Sequence, residues 1–252
     1  LIVGAGEVVR DLKRMRETRG DFRVEFTDVT SGYAILGMAG AEARAVLKST
    51  SNAPVPDLKR FHFAPVEVGL ACGWAGRLSF TGEEGFELYI PADMAMAAHE
   101  AVVAAGATHA GLYASGSLRI ESGFRAFGHE LTPGTTPFEA ELGAFCAFGT
   151  GFVGEDALRG QKPNRQIVSL LFDDPDAIPI HDEPVYLDGQ VVGQITSAAW
   201  SYRFGRSVAL ALVDAPLDRL ARETVVSDFE VEIACTRFPA RASLKPAKEA
   251  FA

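Results

Sequence analysis

A chain of 252 residues and 26.9 kDa is longer than one average domain and short of two large ones. At 48% hydrophobic and 23% charged residues it has ordinary globular usage, which excludes a disordered, collagen-like or fibrous chain. With 24 Lys plus Arg against 33 Asp plus Glu, a net charge of -9, and no basic block, nucleic acid is not an expected partner. Apolar runs such as 207–213 fall short of the roughly 20 residues a membrane helix needs, so no membrane is expected either.

The chain opens without Met on Leu1-Ile-Val3, which reads as buried-strand text, so a segment preceding Leu1 is expected. Val8, Val9, Leu12 and Met15 share one helical face within residues 7–17. Residues 22–29 alternate apolar and polar like a strand, 33–38 read as another, and 41–47 as a short helix after Gly40. That β-α-β-β-α order resembles a ferredoxin-like α+β unit without its first strand. Residues 49–56, rich in Ser, Asn and Pro, read as a link. Strands are expected at 66–68, 76–80 and 86–90, then helices at 93–105, behind Pro91, and at 112–122, ending at Gly123. Beyond about Thr150 the texture changes to short strands at 166–172, 184–187, 191–198, 208–213 and 229–233. Leu187-Asp-Gly-Gln190 is a hairpin signal, since Asp-Gly accepts the positive φ angles of a type I′ turn. Cys72, Cys146 and Cys235 are far apart and odd in number, so they are expected as reduced core thiols of a cytoplasmic protein.

Three motifs carry chemistry. Gly4-Ala-Gly6 behind apolar text imitates a dinucleotide-binding turn, but Val9 stands where the third glycine is needed and no doubly wound sheet follows. The second motif is Ser79-Phe-Thr-Gly-Glu-Glu-Gly-Phe-Glu-Leu-Tyr-Ile90. In its strand Phe86, Leu88 and Ile90 share one face and leave Glu87 with Tyr89 on the other. Glu87 either faces water on an edge strand or is a carboxylate aimed into a cavity, able to accept two parallel N–H bonds from a planar heterocycle. In the third, residues 111–131, Ser115 and Arg119 share a helix face. With no second His at helical spacing, His129-Glu130 is expected as an exposed pair and no metal site is expected.

The blocks Phe80-Thr-Gly-Glu-Glu-Gly-Phe-Glu-Leu88, Ser117-Leu-Arg-Ile-Glu121, Gly128-His-Glu130 and Thr136-Pro-Phe-Glu-Ala140 resemble the aminomethyltransferase family. It comprises the T-protein of glycine cleavage and the folate domains of sarcosine and dimethylglycine dehydrogenases. Residues 166–174, 189–197 and 205–211 look closer to the dehydrogenase branch. The resemblance implies an α+β clover-leaf of three subdomains. These are a partial ferredoxin-like α+β unit at 1–51, a central α+β folate-site unit at 52–148, and a barrel-like all-β domain at 149–252. It implies an enzyme that uses tetrahydrofolate to take an aminomethyl or methylene carbon from a methylated glycine-like amine. The alternatives are a degenerate folate-binding or structural module, or the folate part of a flavin-dependent sarcosine or dimethylglycine dehydrogenase, the flavin lying on a separate domain or chain.

Residue by residue, Glu87 matches the family glutamate that binds the pterin ring, and Phe80, Tyr113 and Arg119 are the further folate-site candidates. Phe80 stands where a tyrosine is usual, Ser115-Gly116 replaces a frequent Arg-Asp pair, Ala144 a common aromatic, and Glu141 a customary glycine. No catalytic residue is assigned, because the family's catalytic aspartate belongs to a segment preceding Leu1.

Overall fold

The computed structural model describes residues 1–51, 57–214 and 217–252. By contact the chain forms two compact units, residues 1–79 with 84–108, and residues 80–83 with 109–252, whereas the sequence suggests a division by residue number into 1–51, 52–148 and 149–252.

In the first unit α1 (Val8–Thr18) is followed by β1 (Tyr33–Ala39), α2 (Ala43–Thr50), β2 (Phe63–Val68), β3 (Ala71–Gly76), β4 (Gly85–Pro91) and α3 (Ala95–Ala104). The strands make an antiparallel sheet in the order β1-β4-β3-β2. Phe86, Leu88 and Ile90 of β4 are fully buried with Val68, Ala71 and Ala75, under Leu47 of α2 and Ala98 and Val102 of α3.

Several expectations are corrected here. Leu1–Val3 and residues 22–29 form no strand and are largely exposed, because among the described residues neither finds a ladder partner, and alternation without pairing makes no strand. The helix expected at 7–17 is present as α1 but buries no residue. Ser49 and Thr50 of the expected link belong to α2, and residues 52–56 lie outside the described residues. The strand expected at 76–80 is β3, several residues earlier. Its Gly- and Ala-rich text hides a strand that needs small residues, since a Cβ on Gly73 would fall 2.4 Å from the Tyr89 carbonyl oxygen.

The second unit contains α4 (Leu112–Glu121), α5 (Glu155–Leu158), β5 (Gln166–Phe172), β6 (Pro184–Leu187), β7 (Gln190–Ser201), β8 (Arg206–Val213), α6 (Leu217–Arg222), β9 (Val226–Ile233), β10 (Thr236–Ser243) and α7 (Ala247–Ala250). Six strands close an antiparallel barrel in the order β10-β5-β8-β7-β6-β9. Val168, Leu170 and Phe172 of β5 point inward against Val185, Ile195, Ala211, Phe229 and Val231. Ile167 and Leu171, on the other face of β5, pack with Val208 and Leu210 against Ile120 of α4 and Ala247 of α7. Burial on both faces is why β5 and β8 read as continuous apolar runs while β6 alternates. The Asp188-Gly189 turn joins β6 to β7 with φ of 51° and 76°, the expected type I′ hairpin.

Candidate functional site

In the first unit the outer face of the sheet, opposite the helices, carries Glu87. Residues directly opposite in register share a face. One row across the sheet is therefore Gly37, Glu87, Gly76 and Phe63, and the next is Ile35, Tyr89, Trp74 and Pro65. Glu87 thus has a glycine on either side in the row. Tyr89 Oη donates a short hydrogen bond to Glu87 Oε2. Burial, and then that bond, push the Tyr89 phenol well above its ordinary value, which keeps it a donor. The Phe63 ring lies over Gly76, where an added Cβ would meet it at 2.4 Å, and its centroid is 5.7 Å from the Tyr89 ring. At Gly37 an added Cβ meets nothing within 4 Å, so that side of the carboxylate is open. Trp74 is 51% exposed, and Ile35 and Phe63 are also exposed. The result is a carboxylate with one oxygen held by a phenol and the other without a hydrogen bond among the described residues, on a sheet face that also carries Phe63, Trp74 and Ile35. A carboxylate so placed can accept N–H donors from a flat polar ring.

In the second unit the structure brings Phe80 and Arg119 together. The Arg119 guanidinium stands 5.9 Å from the Phe80 ring centroid, and Phe80 stacks on Phe124 at 6.1 Å. Arg119 is buried. It pairs with Glu130 at 3.1 Å and donates to the Phe124 carbonyl at 3.1 Å and to Ser197 Oγ at 2.7 Å. Glu130, 1% exposed, also accepts from the Ala126 N–H at 2.9 Å and Thr196 Oγ1 at 2.8 Å. Burial alone would push the Glu130 carboxyl up. The Ser197 hydroxyl, the Ala126 N–H, the Arg119 charge and the Thr196 hydroxyl outweigh it and hold the carboxyl below its ordinary value. Tyr113, in the first turn of α4, is 97% exposed.

The expected exposed His129-Glu130 pair is corrected, because His129 is exposed and Glu130 is buried as the partner of Arg119. The thiols are free as expected but are not core residues, since Cys72 and Cys235 are exposed. Sequence reading missed Gly37, Phe63, Gly76 and Trp74, which reach Glu87 and Tyr89 only through strand register. It also missed Ser197 and Thr196, whose partners lie far away in sequence. Thr136-Pro-Phe-Glu139 closes a turn by a reciprocal pair of bonds, in which the Thr136 N–H donates to the Glu139 carboxylate at 2.8 Å and the Glu139 N–H to Thr136 Oγ1 at 3.3 Å. Glu141, where the resemblance expects glycine, holds a left-handed φ of 58°. Among the described residues no three His, Cys, Asp or Glu side chains converge on a metal position, and no helix is long and apolar enough to cross a membrane.

Comparison with known proteins agrees with this architecture. The family profile described as GCVT N-terminal domain matches residues 1–150, and that of the glycine cleavage T-protein C-terminal barrel domain matches 165–247. Among curated relatives, an aminomethyltransferase of Thermus thermophilus is 30% identical, covering 98% of this chain and 68% of its own length. Human mitochondrial dimethylglycine dehydrogenase is 32% identical over 95% of this chain, and the formaldehyde-forming 4-methylaminobutanoate oxidase of Paenarthrobacter nicotinovorans is 35% identical over 93%. The chain spans 29% of the length of each of these two. The crystal structure of glycine cleavage system aminomethyltransferase T from Bartonella henselae has the same fold, with a TM-score of 0.78 at 23% identity over 95% of this chain and 66% of that one. The chain belongs to the glycine cleavage T-protein, or aminomethyltransferase, family.

Proposed function

We propose that this chain supports tetrahydrofolate-dependent one-carbon transfer, the carbon coming from a methylated glycine-like amine. The observation that carries the reading is Glu87, a carboxylate between two glycines with one oxygen held by Tyr89. The residues present fit a reduced pterin, since Glu87 accepts N–H donors from the ring edge while Trp74, Phe63 and Ile35 take its faces. When bound, folate supplies the acceptor for the one-carbon unit. The chain's own residues bind and orient it, and holding two reactants together removes several kcal/mol of barrier. Phe80, Tyr113 and Arg119 are further proposed folate-site residues, carried over from the family. Arg119, already committed to Glu130 and Ser197, acts by backing the Phe80 ring. None of the residues named here is assigned the proton transfers, and a cytoplasmic location is carried with the proposal. Equilibrium dialysis of tetrahydrofolate against wild type and Glu87→Ala tests the reading. Retention by wild type and its loss in the variant support it, and equal retention by both removes Glu87 from the site.

The long relatives favour a second reading, that the chain serves as the folate-binding part of a flavin-dependent amine oxidoreductase. Both readings share the Glu87 site and differ in what delivers the carbon.

A further inference from the structure

We infer that His129 and His181 form a two-imidazole site for a borderline transition-metal ion such as Zn2+. The inference rests on how the rings are held. His129 Nδ1 lies 3.2 Å from the Thr196 carbonyl oxygen, and His181 Nδ1 lies 2.9 Å from Asp182 Oδ1. A carbonyl and a carboxylate only accept hydrogen bonds, so each Nδ1 carries a hydrogen, and a ring in its neutral form then presents the lone pair of its Nε2. Metal-binding histidines use this arrangement, in which an acceptor on the far nitrogen fixes the tautomer and raises the basicity of the ligating one.

The spacing suits one shared ion. The ring centroids are 5.6 Å apart, with the planes at 65°. With a metal–nitrogen bond of about 2.0–2.1 Å each centroid would stand roughly 3.2 Å from the metal, so two rings at this separation whose Nε2 atoms both turn to one ion would hold it at a nitrogen–metal–nitrogen angle of about 120°, near the tetrahedral range. The orienting carboxylate is itself braced, since Gln194 Nε2 donates to Asp182 Oδ1 at 2.9 Å and the Asp182 N–H donates to the Ile195 carbonyl at 2.9 Å. Asp182 and Glu183 add negative potential that favours a cation. Imidazole nitrogen suits Zn2+, Cu2+ and Ni2+ over Mg2+ or Ca2+. Two protein ligands leave the remaining positions to water, and a bound ion ties the 126–131 turn to the segment leading into β6, both within the second unit.

Calorimetric titration of the whole chain with zinc chloride tests this. A Cys72→Ser/Cys235→Ser background removes the exposed thiols that compete for zinc. One site is expected, with affinity falling at least tenfold in His129→Gln and in His181→Gln. A proton NMR titration of the same background, without histidine variants, is expected to shift two of the five histidine ring signals. Affinity unchanged in both variants, absence of saturable binding, or zinc-induced shifts that spare both rings would overturn the inference.

Discussion

Glu87 is set apart by what its neighbours lack. Its flanking positions across the sheet are Gly37 and Gly76, so its environment is made by Tyr89, by the Phe63 ring that lies over Gly76, and by open space on the Gly37 side. Gly37→Leu, placed where an added Cβ meets nothing, is expected to leave the unfolding free energy within about 0.5 kcal/mol of wild type in urea unfolding. The same change is expected to lower tetrahydrofolate affinity at least tenfold by filling the open side of the Glu87 carboxylate, as dialysis would read. Arg119 answers to a different logic. Arg119→Met strands the buried Glu130 carboxylate and is expected to cost about 3–5 kcal/mol in urea unfolding, while Arg119→Met/Glu130→Met costs less than that single change. Glu87 was legible because strand alternation isolates it beside Phe86 and Leu88. The glycines beside it were not, because register is a property of the folded sheet and not of any local window.

Among the elements, the barrel strands were the most legible, because burial on both faces of β5 and β8 leaves long apolar runs and Asp188-Gly189 marks its own turn. Gly189→Val forces a β-branched side chain to a φ of 76° and is expected to cost about 1–2 kcal/mol, seen as a lowered thermal midpoint. An unchanged midpoint would mean that the hairpin reforms with another turn. β10 escaped notice because Pro239 and small residues dilute its strand text, yet β10 pairs with both β5 and β9 to close the barrel. Residues 22–29 failed in the opposite direction, with strand text and no partner strand among the described residues.

At the scale of the whole molecule, the carboxylates set the response to acid. Hydrogen bonds and charge pairs lower Glu130 and Glu139 from an ordinary value of 4.5. A carboxyl lowered by folding stabilises the native state above its unfolded value, and that contribution is lost as pH falls through the folded value. The urea midpoint is therefore expected to hold between about pH 7 and 5 and to drop below about pH 4.5, with a shallower drop in Glu130→Gln. Glu141, pushed up by burial, works in the opposite sense and softens the fall. The most direct test of the proposed site is a thermodynamic cycle between Glu87 and the ring edge it is proposed to bind. Calorimetry would compare tetrahydrofolate with an analogue whose 2-amino group is replaced by methyl, in wild type and in Glu87→Ala. A charge-assisted hydrogen bond contributes about 1.5–3 kcal/mol, so wild type is expected to lose one to two decades of affinity for the analogue and the variant almost none. An equal loss in both proteins would contradict the assignment of Glu87 to the pterin.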